Sequence, residues 1–587
     1  MPPSDPGLIG NCQVAALVHR DGSIAWSCMP RFDSEPVFAS LLDDERGGAF
    51  RIAPADRQRG VQRYLPNTNV LETTFASAEG SFRVLDFAPR FMLFDRIFRP
   101  TKLVRIVEPI SGMPRIRVVC SPVLGWSQRR PHREFGSHHV SYRGYDAELR
   151  MTTDAPLSYL DGEPFALSSA MRFVLSWGAP VEEPLEPLCD RFFRETVEYW
   201  QQWVKHCDLP AIYQEEVIRS ALALKLHCFE ETGAVVAALT TSIPEFPGLG
   251  KTWDYRYCWL RDAYYVLGAF RLLGHFEERE KFLDFLLNVA ASAPELDLAP
   301  LYRIDGTKNL AEHVLDNWRG FAGEGSVRVG TQAVTQKQHD VFGEMVLALT
   351  PLFVDARLYE RVTSQVLDLV TQLARKAVSV ASQPDAEIWE YKSEWRSQTF
   401  SSLVCWAAAD RMSRIARRHR PAQAEEFVSA AHRIRNELLR TAVSTSRGCL
   451  VADNGGRELD AALLQAVTLR LLPQDDPCLH ATVDAIRADL DSGGWLRRYR
   501  TDERFGVPVV SFVACSFWLV EALATLGRVE EARALMERLR EVNAPLGLVS
   551  EDVEQVTKWG NFPQAYSHAG LIHAAFAAAP RWSEYGI

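Results

Sequence analysis

Helical segments joined by alternately short and long connectors dominate the second part of the chain and strongly restrict its fold. From about residue 190 onward, apolar residues recur with helical spacing. Short connectors, such as Gly274-His275 and Arg420-Pro421, follow every second helix from the second to the tenth. Twelve helical stretches can be distinguished, which begin near Tyr213, Trp259, Phe276, His339, Glu360, Thr399, Ala422, Glu458, Pro477, Ser511, Val529 and Tyr566. Six αα-hairpins in sequence can close into a double ring, so we predict an (α/α)6 barrel.

The helices that follow the long connectors are the most apolar ones, as in "SLVCWAAADRM" and "SFVACSFWLVEAL". An apolar surface on all sides is typical of a helix that is buried all round, so these helices should form the inner ring. The long connectors then lie together at one end of the barrel. A concave mouth lined by loops is where a site is expected.

Residues 1–190 have the alternating pattern of strands instead. Pairs of short apolar runs surround three turn signals, at Asp21-Gly22, Glu79-Gly80 and Ser111-Gly112. This spacing predicts an antiparallel β-sandwich. The proline-rich segment Trp177 to Leu188 is typical of an exit linker. We therefore predict a β-sandwich over 1–190, a linker helix over 191–212 and a catalytic barrel over 213–587.

Composition excludes several classes of protein. The net charge is −10 and no basic stripe occurs, which argues against a nucleic-acid partner. No apolar run is long enough to span a bilayer, and the start "MPPSDPGLIGNCQ" lacks the features of a signal peptide. The 11 cysteines show no CxxC pair and no metal-ligand spacing. We expect reduced cysteines, no metal, no cofactor and a cytoplasmic location.

Three of the long loops carry chemically active side chains. "GKTWDYRYCWLRDAYYVLGAF", Gly250 to Phe270, crowds aromatic and charged residues in front of an apolar helix. The two other loops hold candidate acids, namely Glu387, Glu390 and Glu394 in the first and Glu551, Asp552 and Glu554 in the second. Cleavage of a glycosidic bond needs one protonated and one ionised carboxyl group. Trp389 beside Glu390 would raise the pKa of that acid by desolvation.

Several long motifs, in the same order, resemble those of glycoside hydrolase family 15, the glucoamylase and bacterial trehalase-like group. The opening "IGNCQVAALVHRDGSIAWSCMPRFDSEPVFASLLD" looks like the N-terminal β-domain of that group. "WDYRYCWLRDA", "VRVGTQAVTQKQHDVFGE", "IWEYKSEWRSQTFSS", "FVACSFWLVEAL" and "GNFPQAYSHAGLIHAA" resemble its barrel motifs. The resemblance covers nearly the whole chain. It implies a β-sandwich followed by an (α/α)6 barrel, and exo-hydrolysis of α-glucosidic bonds with inversion.

The resemblance also implies roles for individual residues. Glu390 matches the general acid and Glu551 the general base, and an inverting mechanism would place their carboxyl groups roughly 6.5–9.5 Å apart. Arg261 and Asp262 match an ion pair that binds hydroxyls of the terminal glucose. The other residues expected to bind substrate are Trp253, Tyr255, Trp389, Arg498 and Gln564. Asp340 and Gln338 can also reach the pocket, although a helix cap is an equally good role for Asp340.

The chain departs from the family pattern directly after the proposed acid. Many relatives have a glycine and a proline there, whereas this chain has Lys392, Glu394 and Trp395, which should face the leaving sugar. The predicted activity is release of terminal α-linked glucose from glucan ends or short α-glucosides. Trehalase is the alternative, because the same acid and base would serve a different aglycone. A phosphorylase is disfavoured by the carboxylate at the base position, and a non-catalytic sugar-sensing or scaffold module by the presence of both acids. We expect a small-molecule or oligosaccharide substrate, with a homo-oligomer left open.

Overall fold

The computed structural model describes residues 6–392, 395–500, 507–541 and 545–584. Antiparallel sheets make up the N-terminal part of the chain, and helices dominate the remainder. Among the described residues, no helix combines the length and the apolar character needed to cross a membrane.

Two antiparallel sheets form the N-terminal region. The first has the strand order β1-β2-β3-β5-β12-β16, with β4 paired to β3, and the second has the order β13-β14-β15-β17-β11-β8-β7-β6. The strands are β1 Gly7–Gly10, β2 Ala15–Val18, β3 Ser23–Cys28, β4 Pro36–Phe38, β5 Ala49–Pro54, β6 Val61–Tyr64, β7 Leu71–Ser77, β8 Gly80–Phe87, β9 Phe91–Leu93, β10 Arg96–Phe98, β11 Lys102–Gly112, β12 Arg115–Ser121, β13 His132–Phe135, β14 His139–Arg143, β15 Leu149–Thr153, β16 Phe165–Ala166 and β17 Met171–Trp177. The short strands β9 and β10 form a separate hairpin.

Side chains from the two sheets share one core. Phe50 of the first sheet meets Phe173 of the second edge-on, with ring centroids 5.9 Å apart. Arg105 on β11 is fully buried, and it ties the sheets together because it donates to Asp86 on its own sheet and to the carbonyl of Phe50 on the other. The alternate residues Val104 and Ile106 point to the opposite face, where they pack with residues of the first helix.

Two of the three predicted hairpins are present, and the third is wrong. The strands around Asp21-Gly22 and Glu79-Gly80 pair as expected. The strands on either side of Ser111-Gly112 do not pair with each other: β11 lies between β8 and β17, and β12 lies between β5 and β16. The chain crosses from one sheet to the other there, at Pro114. Local turn signals do not reveal this because strand partners are distant in sequence.

Fourteen α-helices occur in the described residues, several of them next to short 3₁₀ turns. They are α1 Leu185–Lys205, α2 Gln214–Leu226, α3 Leu260–Leu272, α4 Phe276–Ser292, α5 Asp340–Leu349, α6 Pro351–Val354, α7 Ser364–Val380, α8 Thr399–His419, α9 Pro421–Thr441, α10 Gln465–Thr468, α11 Pro477–Leu490, α12 Val513–Thr525, α13 Val529–Glu541 and α14 Ala565–Ala578. A 3₁₀ turn over Ala461–Leu464 leads directly into α10. Helix α1 begins inside the proline-rich segment, directly after Pro184.

The apolar helices that follow long loops pack against one another in order. Helix α3 contacts α5, α5 contacts α8, α8 contacts the turn that begins α10, α10 contacts α12, α12 contacts α14, and α14 returns to α3. Each also contacts a helix outside this set, for example α9 against α8 and α13 against α12. Residues of α5 and α12 are buried nearly throughout. The loops before these helices therefore converge at their N-terminal ends.

Two helices differ from the sequence-based prediction. The stretch expected from Glu360 begins at Ser364, because the side chain of Thr363 caps the helix by accepting from the Val366 amide. Glu360 itself lies in a 3₁₀ turn. The stretch expected from Glu458 is reduced to the turn at Ala461 and the single turn of α10.

Replacement of Gly343 by alanine tests the close approach of α5 and α8. A Cβ atom at Gly343 would lie 2.5 Å from the backbone carbon of Val404, where neither helix can yield locally. Although Gly→Ala normally gains about 1 kcal/mol inside a helix, we expect G343A to lower the thermal unfolding midpoint, because overpacking costs roughly 1–3 kcal/mol. The control is G268A on α3, whose Cβ would meet only side-chain atoms, those of the His573 ring, and no backbone of a neighbouring helix. Equal midpoints for the two variants would contradict this packing.

Candidate active site

The segment that precedes α3 is extended, and its side chains alternate between two surroundings. Backbone pairing of Ala238 with Tyr255 and of Thr241 with Asp254 keeps this segment straight. Trp253 and Tyr255 line a cavity, whereas Asp254 and Arg256 point away from it into the buried interior. This period of two is that of a β-strand. It explains why aromatic and charged residues are interleaved there.

One cavity of about 280 Å³ lies where the loops before the apolar helices converge. All nine residues that the sequence assigned to catalysis or substrate binding line it: Trp253, Tyr255, Arg261, Asp262, Trp389, Glu390, Arg498, Glu551 and Gln564. They come from four separate loops and the beginnings of α3 and α14. The two candidate catalytic carboxylates, about 160 residues apart in sequence, therefore share one pocket.

The Glu390 side chain is held by two donors from the α3 region. Its Oε1 accepts from the Trp259 indole nitrogen at 2.8 Å and from the Arg261 guanidinium at 2.7 Å. The expected ion pair between Arg261 and Asp262 is present, but it is longer, at 3.6 Å. The principal partner of Arg261 is thus Glu390. Glu390 has a positive φ of 60°, a conformation that a non-glycine residue adopts only when its surroundings hold it there.

Glu551 lies deeper and is almost fully buried. The hydroxyl of Tyr255 donates to its Oε1 at 2.6 Å, and the amide of Asn561 approaches its Oε2 at 3.3 Å. Burial, followed by the negative charge of Glu245, raises the pKa of Glu551 to about 7, against the opposing effects of Arg498 and Tyr255. A carboxyl group of this kind can exchange a proton near neutral pH.

Arg498 connects the acids on this side of the pocket. It donates to Glu245 at 2.8 Å and lies 3.9 Å from Asp552. Glu245 also accepts from the Trp253 indole nitrogen at 2.8 Å. Because Glu245 neutralises Arg498 and orients Trp253, it determines the polarity of the pocket wall next to Glu551.

Trp389 forms an apolar wall of the cavity. Its indole nitrogen donates to buried Asp460 at 2.7 Å, which fixes the plane of the ring. Phe512 meets that ring edge-on at 5.8 Å, and Trp518 lies 6.1 Å away. A rigid aromatic face of this type suits the C–H face of a sugar.

The loop after Glu390 also reaches the pocket. Lys392 and Trp395 both line it, and the Lys392 ammonium lies 4.1 Å from the ring centroid of Trp253. Glu394, predicted to act with them, lies outside the described residues. Glu387 is buried, Glu554 is exposed, and neither Asp340 nor Gln338 is among the residues that line the cavity.

The pocket residues that sequence reasoning did not select include Glu245, Trp259, Trp518 and Tyr566. Trp259 lies within the motif that drew attention to the site, but it was not selected. Glu245 has no local signal, since its importance comes from contacts with residues 8 and 253 positions away. Trp518 and Tyr566 resembled ordinary core positions of apolar helices.

Within the described part of the chain, no group of three or more His, Cys, Asp or Glu residues has the arrangement of a metal site. The pocket combines the two candidate catalytic carboxylates, Glu390 and Glu551, with flat aromatic walls and fixed charged donors. Such a combination defines a hydrolase that acts on carbohydrates.

Comparisons with known proteins agree. Residues 211–576 match the model of the glycosyl hydrolases family 15, and residues 5–160 match that of the trehalase-like N-terminal region. The chain belongs to glycosyl hydrolases family 15, and it is an O-glycosyl hydrolase of the trehalase and glucoamylase type.

Two curated relatives and one solved structure align with nearly the whole chain. A trehalase of Mycolicibacterium smegmatis is 33% identical, covering 98% of this chain and 90% of that protein. A trehalase of Thermoplasma volcanium is 32% identical, with coverage of 97% and 92%. A bacterial glucoamylase solved in complex with acarbose superposes with a TM-score of 0.68 at 13% identity, covering 98% of this chain and 95% of that one. The last comparison identifies a glucoamylase-like fold.

Replacement of Glu551 by glutamine should stabilise the protein in a pH-dependent way. The folded state raises the pKa of this carboxyl to about 7 from 4.5, so the folded state favours the protonated form. The contribution of Glu551 to the stability of the wild type therefore falls as the pH rises from about 4.5 through about 7. The gain of E551Q over wild type should be small at pH 4.5, grow to pH 7 and level off above it, as measured by unfolding midpoints.

The control for this prediction is Glu554→Gln, which neutralises an exposed carboxylate three residues away. This variant should show no such rise between pH 4.5 and 7. A gain for E551Q that does not change with pH would contradict the raised pKa.

Proposed function

We propose that the protein is an inverting trehalase, which hydrolyses the bond between the two anomeric carbons of α,α-trehalose. The supporting observation is that relatives named trehalase align with at least 95% of this chain at 32–33% identity. Trehalose hydrolysis, which the sequence analysis gave as the alternative, thereby becomes the first candidate. Removal of glucose from glucan ends becomes the second candidate, supported only by the likeness in fold to glucoamylase.

In this proposal Glu390 is the general acid and Glu551 the general base. Glu390 protonates the departing glycosidic oxygen, while ionised Glu551 removes a proton from the water that attacks the anomeric carbon from the opposite face. Tyr255 donates to Glu551 and holds the carboxylate in place. A carboxylate at this position favours water over phosphate as the nucleophile, which argues against a phosphorylase.

Arg261 would change partners during the reaction. Its guanidinium donates to Glu390. A bound glucose would offer hydroxyl groups to Arg261 and Asp262, and Glu390 would then be released toward the glycosidic oxygen. Trp389 and Gln564 complete the proposed glycone subsite, together with Trp253 and Tyr255.

The second sugar would occupy the outer part of the pocket. Lys392 and Trp395, from the loop after Glu390, line the pocket, and Trp395 offers a half-exposed aromatic face. Arg498, which lies deeper beside Glu245 and Asp552, would provide a fixed donor near the bond to be cleaved. A glucose bears hydroxyl groups around its ring, so this lining suits a second intact glucose.

For the chain as a whole, we propose a β-sandwich over 1–190, a linker over 191–212 and an (α/α)6 barrel over 213–587. A homo-oligomer and a cytoplasmic location stay predictions.

Incubation with trehalose tests the activity and its stereochemistry together. Inversion affects only the attacked anomeric carbon, so early proton NMR spectra should show one β-glucose and one α-glucose for each trehalose. Maltose, isomaltose, kojibiose, nigerose and maltooligosaccharides serve as competing substrates. A higher kcat/KM on maltooligosaccharides would favour the glucoamylase alternative, and two α-glucose products from trehalose would indicate retention.

Glutamine substitutions test the acid and the base. Glu390→Gln and Glu551→Gln should each lower kcat by about two to four orders of magnitude, which is the usual effect of one proton-transfer group. Glu387→Gln and Glu554→Gln are the matched controls from the same two loops, and they should retain turnover within about tenfold. Loss of activity in a control as large as in its neighbour would contradict the assignment.

Replacement of Trp395 by alanine tests the proposed aglycone subsite. Trp395→Ala should change the ranking of trehalose against the other disaccharides while leaving inhibition by free glucose nearly unchanged, because it lines only the outer part of the pocket. Kinetic constants measured on each disaccharide provide the comparison. An equal loss on every substrate would mean that the loop has collapsed.

A further inference from the structure

The extended segment before α3 has a second face, which points away from the pocket. Arg256 on that face is only 1% exposed. Its Nε and Nη2 donate to the two carboxylate oxygens of Asp254, at 2.9 and 2.7 Å. Its Nη1 donates to the backbone carbonyl of Ser34 at 2.7 Å. Ser34 lies in the turn between β3 and β4, so this guanidinium connects the segment before α3 with the N-terminal region.

Aromatic rings of the N-terminal region surround the same guanidinium. Arg256 lies 5.4 Å from the ring centroid of Trp126 and 6.0 Å from that of Trp26. The Trp26 indole donates to the carbonyl of Leu239 at 2.7 Å, and the Trp318 indole donates to the carbonyl of Trp126 at 3.1 Å. Contacts that cross between the two regions of the chain therefore converge around Arg256.

Asp254 secures the other end of this arrangement. Besides Arg256, its Oδ2 accepts from the Tyr257 hydroxyl at 3.0 Å and from the Gly330 amide at 3.2 Å. Residues 254 and 256 are thus both fixed by buried, charge-assisted hydrogen bonds. Tyr255, between them, projects to the opposite side and donates to Glu551. Its backbone cannot shift unless these bonds break.

We propose that Arg256 is a positioning residue through which the N-terminal sheets hold Tyr255 against the proposed base, Glu551. The N-terminal region then acts as a support of the active site and is not merely an attached module. This inference rests on the proposed function only for the role of Glu551. The Lys side chain lacks the planar fork of Arg, so it could not make the Asp254 and Ser34 contacts together.

Arg90 provides a matched control, because it is equally buried and also joins the two regions. It donates to the carbonyl of Asn11 at 2.9 Å and forms an ion pair with Glu230, which follows α2. None of these contacts involves the 253–259 segment. A purely structural role for Arg256 predicts that variants at both arginines lower stability alike and leave the pH dependence of catalysis unchanged.

The pH profile of kcat/KM on trehalose distinguishes the two roles. The Tyr255 hydrogen bond lowers the pKa of Glu551. The other groups that face Glu551 are Glu245, Arg498, Asp552 and the amide of Asn561, and none of them is changed by the variants. Arg256→Lys should therefore move the acidic limb upward by roughly 0.4–1 pH unit, the equivalent of one hydrogen bond. The value of kcat should fall more than KM changes. Arg90→Lys should leave the limb in place.

Two further variants make the test independent of a single substitution. Tyr255→Phe should move the limb as Arg256→Lys does, and the double variant should move it no further, because both act through one contact. Trp126→Leu acts from the N-terminal side without altering the segment and should give a smaller shift in the same direction. Any of three results would overturn the proposal. They are an acidic limb that does not move in Arg256→Lys, shifts that add in the double variant, and an equal shift in Arg90→Lys.

A stability measurement provides a readout that does not depend on turnover. The increase in unfolding midpoint that Glu551→Gln produces stops growing with pH near the pKa of Glu551. Because Arg256→Lys should raise that pKa, the increase should level off at a higher pH when it is measured in the Arg256→Lys variant. An unchanged levelling pH there would overturn the positioning role even if the wild type cleaves no trehalose. A wild type that cleaves no α-glucoside, together with the expected shift in levelling pH, would refute only the proposed function.

Discussion

The extended segment from Trp253 to Trp259 is the element on which both the pocket and the packing between the two regions depend. A strand projects successive side chains to opposite sides. One side here presents Trp253 and Tyr255 to the cavity, and the other presents Asp254 and Arg256 to the N-terminal sheets. A helix in this position would have spread the same residues around its axis and could not have served both surfaces. The order of aromatic and charged residues is therefore a structural requirement.

The pocket retains its acids at a cost in stability. Asp552 and Glu551 are both buried beside Glu245, and burial raises the pKa of each of the first two. Positive charge on this side of the cavity comes from Arg498, 2.8 Å from Glu245, and from Lys251, 3.9 Å from Glu245. Buried carboxyl groups of this density are unfavourable unless they are paired or protonated. Their presence together at one end of the apolar helices fits a site maintained for chemistry, since a stable core would not need them.

The sequence predicted well what depends on local or periodic patterns. Connector lengths and apolar periodicity located the helices, and nine of the twelve predicted starts fall within one residue of an observed helix start. Motif order brought all nine predicted side chains to one cavity. The failures have a common physical origin in distant partners. The strands around Gly112 pair with strands far away in sequence, and Glu245 matters because it meets Arg498, 253 positions along the chain. Neither contact leaves a local pattern.

The pairing of Arg261 with Glu390 shows that motif matching can select the residues of a pocket without giving the contacts between them. Motif matching selected both residues, and both line the cavity, yet it paired Arg261 with Asp262, its neighbour in sequence. In the structure the distance to Glu390 is 2.7 Å and that to Asp262 is 3.6 Å. On the proposed function, glucose must replace the contact between Arg261 and Glu390 before Glu390 can donate its proton. Part of the binding energy of the sugar is then used to free the acid, so that water alone leaves Glu390 paired with Arg261.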